Sequence, residues 1–361
     1  MKKHLLALAA LATVSGVAAA QSATVYGIVD LSVSKVTKAT DGTNNGSLTA
    51  LTDAVWMPSV FGVTGSEDLG GGLKATFNLE SDVNIDTGRL SAASATGASA
   101  TGVTKLFGRK SNVGLSGNFG SVTVGKDIDM LFLQGFIDNI RNAHSAAGFV
   151  AHTLATDLRL DTESVFIQNM VRYTTPTVAG FKASIQHRFG ETAGNTQKDS
   201  STGYLLNYAA GSLTANVGFK EMKNTSLEKT ELTYVGATYT LGAVKFAATH
   251  HETKYDVALS TGSKKIKTDE VGVAYSISPQ LTAAVNYVRI DRGVANADST
   301  VTSGSLKYAL SKRTNLWTLL SKSNNDASGS DAGASSRPIY SGLNQAGKDS
   351  TAYSVGITHS F

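Results

Sequence analysis

From Gln21 to the end, the chain repeats one pattern: stretches of about ten residues in which apolar and polar side chains alternate, separated by connectors that are short and long in turn. Strict alternation puts every second side chain on the same face of an extended strand. In the last stretch, Tyr353, Val355, Ile357, His359 and Phe361 share one face, and Ser354, Gly356, Thr358 and Ser360 share the other. Leu213, Ala215, Val217 and Phe219 alternate in the same way with Thr214, Asn216, Gly218 and Lys220. So do Val271, Val273, Tyr275 and Ile277 with Glu270, Gly272, Ala274 and Ser276.

About sixteen such stretches occur, near 23–35, 58–65, 73–82, 104–117, 121–126, 164–175, 178–189, 202–209, 212–222, 229–240, 243–253, 268–277, 280–291, 299–309, 313–322 and 351–361. Short connectors such as Pro176-Thr177, Ala210-Gly211 and Leu241-Gly242 alternate with long ones rich in Ser, Thr, Asn, Asp and Gly, at 37–57, 83–103, 127–163, 254–267 and 323–350. An even number of antiparallel strands with tight turns at one end and long loops at the other predicts an all-β, 16-stranded transmembrane barrel. A secreted β-sandwich or β-helix would also accept amphipathic strands. Against it, aromatics gather near strand ends on the apolar face (Tyr173, Phe189, Tyr204, Tyr208, Tyr239, Tyr275, Tyr287, Tyr353), as interfacial girdles do.

Composition removes other classes. There is no Cys among the 361 residues, so disulfide frameworks, thiolate metal sites and thiol nucleophiles are excluded. Lys2 and Lys3, the apolar run Leu5 to Val14 and the Ala18-Ala19-Ala20 site before Gln21 read as a cleaved signal peptide over 1–20, leaving 21–361 as the exported barrel. Without those two lysines the formal charge falls from +4 to +2, which is no nucleic-acid footprint. No run approaches the roughly 18 apolar residues of a spanning helix.

FGVTGSEDLGGGLKATFNLE at 61–80 resembles the betaproteobacterial trimeric general porins, as do YGIVD at 26–30, LFGRKSNVGLSGNFGSVTVGK at 106–126, NMVRYTTPTVAGF at 169–181, YALSKRTNL at 308–316 and GITHSF at 356–361. The resemblance implies a sixteen-stranded barrel, a homotrimer, and passive diffusion of small hydrophilic solutes and ions across the outer membrane of a Gram-negative bacterium. It also implies that Phe361 is the signal read by the barrel-assembly machinery. The third long loop would fold inward and narrow the pore. An external lid over the mouth is the alternative.

Within that loop, Leu133, Phe136, Ile137 and Ile140 recur at helical spacing and are expected to pack on the inner wall, with Asp127, Asp129 and Asp138 turned to solvent. Parity puts Arg172, Lys182 and Arg188 in the lumen, together with the acids Asp30 and Glu80. Arg109 and Lys110 match the family's basic segment and are expected at the pore constriction, although strict alternation with Val113 and Leu115 would turn Arg109 outward. Val60 and Thr64 stand where many members carry Arg, and Lys126 where Arg is common. Since anion preference rests on a ring of cations, the expectation is a weak lean toward anions. Substrate-specific uptake is the alternative function.

Other motifs carry less. His250-His251-Glu252 lacks the i, i+4 spacing of a helical zinc site and reads as a solvated rim. Gly70-Gly71-Gly72 precedes a strand, not a helix, and is a turn. Lys264, Lys265 and Lys267 form a basic cluster open to solvent or to anionic lipopolysaccharide. Nothing supplies a catalytic triad, and no metal or cofactor is expected.

Overall fold

The computed structural model describes residues 22–40, 45–90, 106–140, 165–258, 262–327 and 347–361. Residues 1–20, read from sequence as a signal peptide, and residues 141–163 of the third long connector lie outside them. The first half of the wall consists of β1 (Ser22–Thr40), β2 in two parts (Asn45–Asp53 and Val60–Gly70), β3 (Leu73–Asn84), β4 (Lys110–Gly117), β5 (Gly120–Ile128), β6 (Phe166–Thr174), β7 (Phe181–Arg188) and β8 (Ser201–Ala210). The second half is β9 (Leu213–Lys223), β10 (Lys229–Leu241), β11 (Val244–Tyr255), β12 (Lys265–Ser276), β13 (Leu281–Asp291), β14 (Ser299–Ala309), β15 (Thr314–Asn325) and β16 (Ser350–Ser360). Among the described residues a helix, α1 (Met130–Asp138), follows β5.

Each strand pairs antiparallel with the next, and β16 returns to β1 in the register Ser360 to Ile28, His359 to Val29. The sheet therefore closes on itself and leaves no edge, the condition for strands to cross a bilayer. Phe361 completes the seam. Its N–H and C=O exchange hydrogen bonds with Gly27, and its ring covers the place where a Gly27 side chain would stand.

The faces follow the alternation. Val25, Phe61, Val113, Val217, Phe219, Phe246, Val271, Val285, Leu316 and Val355 point outward and are exposed, while Glu80, Gln186, Asn216, Lys220, Thr249, Asn286 and Ser321 point inward. Sixteen strands enclose enough space for an aqueous channel. Turn chemistry holds too: Gly70, Gly71 and Gly72 have φ of 84°, 61° and 81°, a left-handed run open to glycine.

One segment departs from expectation. The first long connector, read as a loop over 37–57, is mostly ladder: β1 continues to Thr40, and Asn45–Asp53 pairs back onto it. Its Ser and Thr content reads as loop, yet Thr suits a strand well. The strand breaks only at Ala54, with φ of 57°, and residues 54–59 fold against the inner wall. There Trp56 stacks on Trp317 with centroids 5.5 Å apart. Asp30 fixes both, accepting from the Trp56 N–H at 2.9 Å and from Trp317 Nε1 at 3.1 Å.

Candidate pore constriction

The bend from β5 into α1 is set by two carboxylates and the wall cations that meet them. Asp127 accepts from the Ile128 N–H at 2.8 Å and pairs with Arg172 at 3.1 Å, while Arg172 also donates to the Ile128 carbonyl and to Gln186. Asp129 caps the helix, accepting from the N–H groups of Leu131 and Phe132 at 2.9 Å, a stabilising arrangement at a positive helix end. Its other oxygen meets the ammonium of Lys220 on β9 at 3.0 Å, both side chains being buried.

Glycines on the wall let the helix lie flat. A Cβ at Gly203 on β8 would come within 2.9 Å of the Met130 terminal methyl, and one at Gly218 on β9 would run still closer to Leu131. On β10, Gly236 leaves room for the Asp138 carboxylate, and on β12, Gly272 sits 2.9 Å from Ile140 by the same measure. Polar contacts lock the far end. Asp138 accepts from Tyr234 Oη at 2.7 Å, from Asn216 Nδ2 at 2.8 and 2.9 Å and from Gln134 at 3.1 Å, while Asn139 donates to Glu270 at 3.1 Å.

This orientation reverses the expected one. Asp129 and Asp138 are 1% and 0% exposed and face the wall, whereas Leu133 and Ile137 are 37% and 54% exposed. Phe136 and Ile140 are buried as expected. The reason is that the inner wall of a water-filled barrel is its polar face, so Lys220, Asn216 and Tyr234 draw the carboxylates.

The two anchors respond to acid in opposite senses. Burial raises the Asp138 carboxyl above the usual carboxylate range, with the Tyr234, Gln134 and Asn216 hydrogen bonds only partly offsetting it. Burial also pushes Asp129 up, but the Lys220 ammonium and the Phe132 N–H outweigh that and hold it below the usual range. A depressed carboxyl stabilises above its unfolded pKa and loses that as pH falls through its folded value. A raised one stabilises most below its unfolded pKa and loses that as pH rises through its folded value. Acidification toward the usual carboxylate range is thus expected to tighten the Asp138 end while leaving the Asp129 end in place. Open-channel current noise should fall with pH in the parent and become flat over the same range in Asp138→Asn.

The remaining basic residues divide. Lys182 is inward and exposed on β7, next to Asn207, whose amide donates to Gln134 at 2.8 Å. Arg188 is inward but buried. Lys110 lies on the inner face of β4, 3.4 Å from Glu80. Arg109 immediately precedes β4, so strand parity does not govern it: its side chain turns in, pairs with Glu80 at 2.6 Å and Asp82 at 3.0 Å, and lies 4.7 Å from the Phe166 ring centre. At 4% exposed it braces the wall and does not meet solvent. Asp30 and Glu80, expected to line water, are buried as hydrogen-bond acceptors. Val60 and Thr64 do face inward, without charge. Of the histidine pair, His250 points outward to Asp269 at 2.6 Å and His251 is buried inside, so the reading of both as solvated rim fails for His251. Lys220, Asn216, Tyr234 and the wall glycines were not singled out from sequence, though alternation had put Asn216, Gly218 and Lys220 on the polar face.

The family model for Gram-negative porins matches residues 7–328. The chain belongs to that family. As such a porin it is a passive channel of the Gram-negative outer membrane and not an enzyme. It is 31% identical over 371 residues to outer membrane porin protein 32 of Delftia acidovorans, covering all of both chains. An outer membrane porin protein of Bordetella pertussis is 28% identical, again over the full length of both. Among solved structures, an anion-selective porin from Comamonas acidovorans superposes with a TM-score of 0.79 at 27% identity, over 94% of this porin and 100% of that chain. OmpT of Vibrio cholerae, at 14% identity and a TM-score of 0.66 over 95% and 98% of the two chains, shares the fold.

Proposed function

We propose that this porin is a general diffusion channel for small hydrophilic solutes and ions, weakly selective for anions, with the loop at 127–163 setting its narrowest point. The carrying observation is the direction of the loop's acids: Asp129 and Asp138 are consumed in docking α1, and Asp127 is paired with Arg172. The negative side of the constriction is thereby muted, and Lys182 keeps an exposed ammonium on the lumen side. Arg188 adds to the positive field, while Arg172, Lys110 and Arg109 contribute through position, already balanced by Asp127, Glu80 and Asp82. Neutral Val60 and Thr64 keep the preference weak. That the Comamonas relative is described as anion-selective agrees with the sign.

Several assembly features belong to the same reading. The outward tyrosines of the described residues, Tyr173, Tyr204, Tyr208, Tyr239, Tyr275, Tyr287, Tyr308 and Tyr353, all lie from β6 to β16; β1 to β5 carry only Tyr26, which turns inward to Glu80 and Asn78. A wall sector without outward tyrosines, its outward aromatics being phenylalanines such as Phe61 and Phe119, suits burial against other copies in a homotrimer. Outward Lys254, Lys265 and Lys267 around Glu252 suit the anionic headgroups of lipopolysaccharide. Phe361 at the seam serves recognition by the barrel-assembly machinery, and residues 1–20 direct export.

Reversal potentials across planar bilayers in a KCl gradient test the charge preference, and liposome swelling tests the transport mode. A small anion-directed potential with size-dependent, unsaturable swelling is expected. A cation-directed potential, or saturable uptake of one solute, would overturn the reading.

A further inference from the structure

The reversed helix leaves two branched apolar side chains, Leu133 and Ile137, one turn apart and open on a segment whose other described helical residues are buried. An exposed apolar pair at i, i+4 forms a continuous strip along a helix. It has a neighbour of defined charge: Gln134, between the two, is held by Asn207, and Asn207 is the cross-strand partner of Lys182, whose side chain is exposed. A solute passing this point meets hydrocarbon and an ammonium together.

We infer that Leu133 and Ile137 are specificity-determining residues that favour organic monocarboxylates with a hydrocarbon body over equally sized hydroxylated ones. The inference rests on the reading of this loop as the constriction of an anion-preferring channel. The carboxylate approaches Lys182 while the alkyl part covers Leu133 and Ile137, raising occupancy of the narrow zone. Contact of this kind is weak enough to leave, so it assists passage and does not block it.

Butyrate and glycerate carry the same charge, differ by a single heavy atom in size and differ strongly in apolar surface, so their permeability ratio, and its change on substitution, reports on the strip. It is read from reversal potentials with the sodium salts, alongside chloride. Shielding roughly 25 Å² of apolar surface corresponds to a preference of about threefold for butyrate. That ratio should fall to near one in Leu133→Asn/Ile137→Asn and be kept in Leu133→Met/Ile137→Val, with chloride-to-sodium selectivity unchanged in both. Lys182→Gln should lower anion-to-cation selectivity and leave the butyrate-to-glycerate ratio in place. Both strip positions are exposed, and channel insertion itself reports a folded protein. Equal permeability of the two anions in the parent, or a ratio untouched by the double Asn variant, would overturn the inference. A cation-selective parent would instead refute the underlying charge reading, while the ratio still judges the strip.

Discussion

Exchanging Lys220 for Met is expected to release the first turn of α1 from the barrel wall and turn a quiet channel into a noisy one. The substitution keeps an unbranched stem but strands the Asp129 carboxylate at a site where both partners are buried. Removing one partner of a buried pair costs about 3–5 kcal/mol, most of it the penalty of the uncompensated charge. That cost falls on the loop, because the ladders of β8, β9 and β10 are untouched by a side-chain change. Asp129→Asn in the same background removes the stranded charge while still capping Leu131 and Phe132. Single-channel recording should show increased open-channel noise in Lys220→Met and its return toward the parent in the double variant. Equal noise in all three would mean that the ion pair does not hold the loop.

Gly218→Phe should act in the opposite direction, by pushing. Its side chain would enter the space of Leu131, which is fully buried. Overpacking of this kind typically costs about 1–3 kcal/mol, and the relief open to α1 is displacement toward the lumen. The expected result is lower single-channel conductance with low noise, the helix being moved while Asp129 and Asp138 stay paired. Gly304→Phe makes a control: its Cβ would meet only the Ala284 carbonyl, at 4.0 Å, and it should leave conductance near that of the parent.

Most of the barrel was legible because its physics is periodic. Lipid on one side and water on the other force alternation, and tight turns force Gly-rich connectors, so strand number and facing follow from the order of residues. Three things were hidden, each for a physical reason. Asn45–Asp53 reads as loop because it is short, rich in Ser and Thr, and separated from the rest of β2 by the inward fold at Ala54. Arg109 escaped parity because the strand expected over 104–117 begins only at Lys110, and Glu80 and Asp82 pull the arginine inward. The facing of α1 was inverted because an apolar stripe on a helix ordinarily marks a buried face. In this barrel the helix packs against Lys220, Asn216 and Tyr234, so its acids turn to the wall and Leu133 and Ile137 to the lumen. The docking glycines, Gly203, Gly218, Gly236 and Gly272, lie on four strands and become one track only when the sheet closes.

Along that track α1 is fixed to the inner wall. The chain contains no Cys, so a paired substitution gives an unambiguous report. Ile140 and an ideal Cβ on Gly272 are 2.9 Å apart, and a shift of under 1 Å brings such a pair into disulfide range. The measurement is single-channel conductance of Ile140→Cys/Gly272→Cys before and after oxidation. A bond is expected in nearly all molecules, with conductance close to that of the reduced channel, since the bond fastens the loop where it already lies. Failure to cross-link, or a large change in conductance on oxidation, would contradict it.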